Sequence, residues 1–379
     1  MSKQYKVALE LQPVCGKRSG IGNYVYELAR HVSSDDEVQF VGNLFNFVGR
    51  NDNTASLTGI KIPIRECENF PYGVYRRIWH LWPIKYDKLF PKGADLSVFF
   101  NYIVPPRISG KVLTTIHDLT WLRYPETMDK KNLRRIERDI AYSIERSDKI
   151  LTISEFSKKE IMDLLGVSAE RIRVVPCAAT EMSAAADLAE IKSKHDLDRP
   201  YLLYVGNIEP RKNLSRLLKA FDLLKSEQGI EHKLVIAGGS GWGNAEFQQT
   251  LQGMKHAADV VQVGYVEPAE KRVLYEQAVA FVFPSLYEGF GIPPLEAMSC
   301  GCPVVCANSA SLPEVVGEAA ALVNPLEVQS IADGIWRVIS DKEYAEKLVA
   351  KGFEQVKQYS WERSAASFKK ICREVLGLE

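Results

Sequence analysis

Short runs of Val, Ile, Leu and Phe alternate along this chain with longer stretches in which apolar positions recur at helical spacing. Residues 7–11, 38–41, 96–100, 112–116, 149–153 and 171–175 form a first series of runs. They are mostly unbroken rather than alternating, the pattern of strands covered on both faces of a parallel sheet. After the first run comes a loop carrying Gly16, Ser19, Gly20 and Gly22, and a helix is predicted over residues 23–32. Strand, glycine loop and helix in that order open a Rossmann-like unit. A second series occupies residues 201–205, 234–237, 260–263, 280–284 and 303–307. Residues 331–377 read as helix with a break at 359–361.

Two series of runs imply two sheets, and 379 residues are enough for two cores. Between the series, residues 180–200 become rich in Ala and charge and end on Asp198, Arg199 and Pro200. The boundary is placed there, giving an N-terminal Rossmann-like domain over 1–185 and a second over 186–358. Residues 359–379 are predicted to cross back to the first domain as a helix. The expected fold class is α/β, with two parallel sheets facing across a cleft.

Composition narrows the function classes. With 48 basic and 48 acidic residues there is no global field to attract a polyanion, which argues against nucleic acid. No run approaches the ~18 apolar residues of a membrane span, and residues 1–6 lead into a strand without a signal-peptide pattern. Seven scattered cysteines, an odd number, suit reduced thiols in a cytoplasm. Cys300, Cys302 and Cys306 lack the pair-plus-pair spacing of a zinc site and read as a helix end followed by a buried strand.

Residues 284–303 carry the most chemistry. A strand ends at Phe283, a loop holds Glu288, Gly289 and Gly291, and Pro293 or Pro294 stands where a helix begins, a position that tolerates a missing N–H. Gly301 is placed for the left-handed stop of that helix. The N–H groups of Gly289, Phe290, Gly291 and Ile292 would point out of the helix N-terminus at the carboxyl end of a strand, an anion site suited to a diphosphate. Glu288 and Glu296 flank it. Carboxylates repel phosphate oxygens, so their partners would be sugar or ribose hydroxyls, although a first-turn Glu296 is also what the helix dipole alone favours. On the same edge of the second sheet, Arg211 and Lys212 lie in the loop after residues 201–205. Two cations and a helix N-terminus would neutralise a diphosphate leaving group. In the first domain, His117 follows a strand and precedes Asp118, as a cleft residue or an ordinary core histidine.

Taken in order, these residues resemble the retaining glycosyltransferases of family 4, whose fold is the two-domain GT-B arrangement. The resemblance rests on Glu288 and Glu296 with seven residues between them, the segment from Glu209 to Asn213, Gly20 with Gly22, His117 with Asp118, and the run Ser154, Glu155, Phe156, Ser157. It implies that Arg211 and Lys212 contact a donor diphosphate while the amides of Phe290, Gly291 and Ile292 cradle its distal phosphate. It implies that Glu288 holds hydroxyls of the transferred sugar, Glu296 the ribose, and the backbone at Tyr265 and Val266 the base. Gly20 and Gly22 would let the first domain approach the donor, and His117 would lie beside the donor sugar. Members often carry an arginine where Asn207 stands, so Arg211 would supply that charge; Cys177 and Ala178 replace a frequent Asn-Gly pair.

The implied reaction is sugar transfer with retained anomeric configuration, by front-face attack through an oxocarbenium-like transition state. The nucleotide sugar is the co-substrate, and no cofactor or metal is expected, because Arg211, Lys212 and the helix N-terminus take the place of a divalent cation. The wording around Asn207 and His117, with Pro125 and Glu126, resembles bacterial mannosyltransferases that build O-antigen, which makes GDP-mannose the expected donor and a UDP- or dTDP-sugar the alternative. The expected acceptor is a glycan, lipid-linked. Aromatic and basic residues between 70 and 90, including Tyr72, Tyr75, Arg76, Arg77, Trp79, Trp82, Lys85 and Tyr86, would with Lys130, Lys131, Arg134 and Arg135 dock a cytoplasmic enzyme peripherally on anionic lipid. A nicotinamide enzyme is disfavoured because Val25 stands at the third glycine of the dinucleotide fingerprint. An inert sugar-binding scaffold is disfavoured by intact Glu288, Glu296, Lys212 and His117.

Overall fold

A computed structural model describes residues 4–16, 18–47, 54–82, 84–90, 93–182, 186–239, 241 and 243–378. The chain forms two compact units, the first made of Met1–Leu119, Lys130–Cys177 and Trp361–Glu379, the second of Thr120–Asp129 and Ala178–Ser360. Residues 183–185, at which the sequence boundary was placed, lie outside the described residues.

In the first unit, β1 (Tyr5–Glu10), β2 (Val38–Phe45), β3 (Ile64–Cys67), β4 (Leu96–Phe99), β5 (Lys111–Thr115), β6 (Lys149–Thr152) and β7 (Ile172–Val174) make one sheet in the order β3-β2-β1-β4-β5-β6-β7. Every pairing is parallel. Val7, Leu9, Leu96, Val98, Val112 and Leu113 are fully buried, as strands covered on both faces require. β3 has no apolar run, since its sequence is Ile-Arg-Glu-Cys, and as an edge strand it needs none; sequence pattern therefore missed it.

Helix α1 (Gly20–His31) begins three residues earlier than predicted. Ser19 caps it, its hydroxyl accepting from the Gly22 N–H at 3.2 Å. Gly20 and Gly22 are thus helical rather than loop residues. A Cβ on Gly22 would meet the Pro13 carbonyl oxygen at 2.5 Å, so the glycine is required by chain packing inside the unit. The last helix, Trp361–Leu376, packs against α1 and β4. Its Phe368 is fully buried between Phe40 and Phe100, and its Ser364 donates to the Pro176 carbonyl at 2.8 Å.

Between β2 and β4 the aromatic stretch turns inward. Tyr75, Trp79, Tyr86 and Phe90 are buried, with Tyr75, Tyr86 and Phe90 packed around Phe45 and the Trp79 ring edge-on to Tyr75. That corrects the expectation of a membrane-facing aromatic set: Leu81 (85% exposed) and Trp82 (68% exposed) are the members left outside.

The second unit repeats the plan with β8 (Tyr201–Val205), β9 (Lys233–Ala237), β10 (Val260–Gly264), β11 (Ala280–Phe283), β12 (Val304–Ala307) and β13 (Ala320–Val323), in the order β10-β9-β8-β11-β12-β13, again all parallel. β13 was not predicted, because Ala-Ala-Leu-Val following a short helix carries little strand signal. Cys306 lies buried in β12 and Cys302 just before it.

Candidate functional site

In the second sheet the strand order reverses between β8 and β11, and the loops leaving those strands at their carboxyl ends flank the point of reversal, where open α/β sheets bind ligands. The loop after β8 contains a single 3-10 turn, Pro210–Lys212, which ends at Asn213 in the left-handed conformation with φ 61°. Asparagine tolerates that backbone, and its Nδ2 donates to the Pro284 carbonyl at 3.0 Å and the Pro325 carbonyl at 2.7 Å. The Leu286 N–H donates to the Arg211 carbonyl at 2.9 Å. These bonds lock the loop after β8 to the loop after β11, so Arg211 and Lys212 face Glu288.

The contact is direct. Arg211 Nη1 donates to Glu288 Oε2 at 2.7 Å and to the Tyr287 carbonyl, while Lys212 Nζ donates to Glu288 Oε1 at 2.6 Å. All three side chains are at least 84% buried. Burial alone would raise the Glu288 pKa, but the two cations overcome it and hold the carboxyl at about 2. Asn207, where an arginine was expected, is exposed, with its Nδ2 3.4 Å from Glu209 Oε1. The second cation at Glu288 is Arg211.

Glu288 leads into the helix Ile292–Ser299, whose N-cap is Gly291 at φ 108°. A Cβ there would be both strained and 2.6 Å from Leu312 Cδ2. The buried Ser311 hydroxyl lies 2.8 Å from the Glu288 carbonyl and 2.9 Å from the Phe290 carbonyl. In a trans peptide the C=O and the following N–H point opposite ways, so Ser311 turns the N–H groups of Gly289 and Gly291 away from itself. Pro293 and Pro294 carry no N–H, which leaves Ile292 as the amide donor of the first three helical positions. The loop amides must therefore supply most of any anion cradle.

Glu296 sits in the second turn rather than the first, and it is buried. Lys271 Nζ donates to both of its oxygens at 2.9 Å, and the Tyr275 hydroxyl donates at 3.2 Å. Lys271 and Tyr275 are one turn apart on the helix Pro268–Gln277, hence on one face. Sequence reasoning missed both; the one-turn spacing of a cation and a phenol was the available signal. Tyr265 (55% exposed) and Val266 (8% exposed) follow β10, the edge strand two removed from β8.

In the first unit, His117 follows β5 and is buried, and its Nε2 lies 2.7 Å from the Phe100 carbonyl oxygen. A carbonyl only accepts, so Nε2 carries the proton. Burial pushes the ring pKa below its ordinary value, which makes the imidazole neutral and leaves Nδ1 as its acceptor. Tyr24 and Tyr102 pack edge-on to the ring, Asp118 accepts from the Tyr102 hydroxyl at 3.2 Å, and the Ser157 hydroxyl donates to the His117 carbonyl at 3.1 Å. Ser154 caps the helix Glu155–Leu165, which places Ser157 for that bond.

Comparison with known proteins agrees with this geometry. The profile described as Glycosyltransferase Family 4 matches residues 18–179, and that described as Glycosyl transferases group 1 matches residues 187–355. O-antigen chain mannosyltransferase B of Escherichia coli is 32% identical over 374 residues, covering 94% of this chain and 96% of that one. The chain belongs to glycosyltransferase family 4.

Solved structures place this glycosyltransferase in the GT-B fold. Sucrose-phosphate synthase from Thermosynechococcus elongatus superposes with a TM-score of 0.73 at 21% identity, covering 99% of this chain and 100% of that one. Anabaena HepE in complex with UDP and glucose superposes with a TM-score of 0.72 at 16% identity, covering 98% and 100%. The glycosyltransferase's carboxylate-and-cation cluster lies at the switch point of its second sheet, built on short loops that Asn213 and Ser311 hold in place.

Proposed function

We propose that this glycosyltransferase moves mannose from GDP-mannose, with retention of configuration, to a hydroxyl of a lipid-linked O-antigen glycan. The observation that carries the donor assignment is the seating of Glu288 between Arg211 and Lys212 at the switch point of the second sheet. A diphosphate offers those cations better-matched oxygens than a single carboxylate does, so donor binding shifts them towards phosphate. Glu288 is then released to accept hydroxyl protons from the sugar. The loop amides of Phe290 and Gly291, with that of Ile292, take the distal phosphate, Glu296 takes the ribose, and Tyr265 and Val266 border the base. As the glycosidic bond breaks, Arg211 and Lys212 stabilise the charge growing on the leaving diphosphate, a task that needs no metal. His117 Nδ1, an acceptor on a neutral ring, serves a sugar hydroxyl rather than acting as an acid. Mannose and O-antigen are supported by the 32% identity to O-antigen chain mannosyltransferase B over nearly the whole of both chains.

The test is a panel of GDP-, UDP- and dTDP-sugars in EDTA, with a lipid-linked oligosaccharide acceptor, read by mass and by the anomeric NMR signal of the product. An α-mannoside from GDP-mannose supports the reading; turnover with a UDP-sugar alone, a β-product, or a requirement for a divalent ion removes the corresponding part. Contact with the cytoplasmic face of a membrane is part of the same proposal. Leu81 and Trp82 project from the first unit, where exposed Arg77 and Lys85 are close in sequence. Flotation with anionic vesicles should be lost in the Leu81→Ser, Trp82→Ser variant; equal flotation counts against it.

A further inference from the structure

The first sheet also has a switch point. Its strand order reverses between β1 and β4, and β1 ends on Glu10 while β4 ends on Phe99. A pocket opens there, built within the first unit, and Glu10, Arg76, Trp79, Tyr86, Asn101 and Arg135 are among the residues lining it. It encloses about 380 Å³ counting its mouth, and its throat admits about one water-sized group.

The wall holds polar atoms that the protein leaves unmatched. Glu10 Oε1, Trp79 Nε1 and Arg135 Nε are buried with no hydrogen-bond partner. Glu10 is 94% and Trp79 95% buried. Desolvation of that kind is costly unless something answers it, and three orphaned atoms on one small pocket are more than folding alone explains. Their chemistry is mixed. A carboxyl group disfavours a bare phosphate, and two guanidinium groups disfavour a cation. An acceptor beside two N–H donors, with Trp and Tyr rings in the wall, fits a neutral ligand that both donates and accepts through hydroxyls and presents an apolar C–H face. Burial raises Glu10 to about 8, which lets the group serve a hydroxyl in either protonation state.

We propose that this pocket is a saccharide subsite, seating one hydroxyl of an acceptor sugar in its throat with the ring in its mouth. The proposal rests on the transfer of mannose to a glycan argued above. None of the donor-site residues takes part in it, so the two readings fail separately.

The experiment is saturation-transfer NMR of the full chain with an α-linked mannose trisaccharide, without nucleotide, alongside calorimetric titration of GDP. The wild type should bind the trisaccharide. Glu10→Gln, which keeps shape, and Arg135→Gln, on a partly exposed helical position, should each weaken that binding by about tenfold or more, because a partner built to match a hydroxyl is lost. Both should keep the wild-type GDP affinity. Absent saturation transfer in the wild type, or unchanged binding in both variants, overturns the subsite. A wild type that takes the trisaccharide but not GDP overturns the donor assignment alone.

Discussion

Glu288 spends its two oxygens on two buried cations, and removing any of the three leaves charge without a partner. Lys212→Ala and Glu288→Ala should each lower the rate of sugar transfer at least about tenfold, and Glu288→Ala should also cost about 3–5 kcal/mol in urea unfolding, because Arg211 and Lys212 stay buried. Wild-type turnover in both variants would refute the assignment. The pH dependence has a definite sign. Glu288 is held at about 2 in the folded chain against an ordinary 4.5, so its contribution is fully present above the ordinary value and is lost as pH falls from there through the folded value. His117 acts in the same direction higher up: its folded pKa lies below the ordinary 6.5, so the unfolded chain takes the proton first and stability declines as pH drops below that value. Urea midpoints followed down in pH should fall less steeply in Glu288→Gln than in the wild type; parallel curves would count against the pairing.

Among the elements, the short turn after β8 matters most for the site, since Asn213 ties it to two other loops through one amide. Asn213→Ala removes both bonds and puts a Cβ residue without local compensation at φ 61°; it should destabilise by about 2–4 kcal/mol and lower transfer by displacing Arg211 and Lys212. Asn213→Gly relieves the backbone but not the bonds, so it should recover stability in part and activity less. Equal recovery of both would show that the backbone conformation, not the amide, sets the loop. Gly22 makes a parallel case in the first unit. The Pro13 carbonyl 2.5 Å from its would-be Cβ predicts that Gly22→Ala lowers the melting temperature, whereas Gly20→Ala, with nothing within 4 Å, should leave it near the wild-type value.

For the molecule as a whole, the C-terminal helix is part of the first unit's core. Trp361, Ala365, Phe368, Ile371 and Cys372 are buried on it. Phe368→Ala should cost about 3–5 kcal/mol, and a chain ending at Ser360 should expose the α1 and β4 faces and fail to give a soluble, cooperatively unfolding protein. A truncated chain that melts like the wild type would mean that the first unit closes without it. The two sheets share one plan, a parallel order with a single reversal, and each reversal carries a polar cluster of different character. The second offers paired cations, suited to phosphate; the first offers mixed donors and acceptors, suited to hydroxyls.

Most of the strands were legible in the chain because burial on both faces writes a continuous apolar run, which local reading detects. β3 and β13 were not, since an edge strand or an Ala-rich one needs partners rather than pattern. Sequence spacing likewise picked out Glu288, Arg211, Lys212, Glu296 and His117. It did not reveal that Arg211 and Lys212 clamp Glu288, that Glu296 answers to Lys271 and Tyr275, or that His117 leans on Phe100, because each of those contacts joins residues far apart in the chain. Gly20 and Gly22 were read as a loop because glycine lowers helix propensity, a local preference that the Ser19 cap and the packing against Pro13 override. Local pattern thus determined which elements form and which residue types the site contains; the parallel order of the strands decided which of those residues meet, since partners and charges are set by neighbours in space.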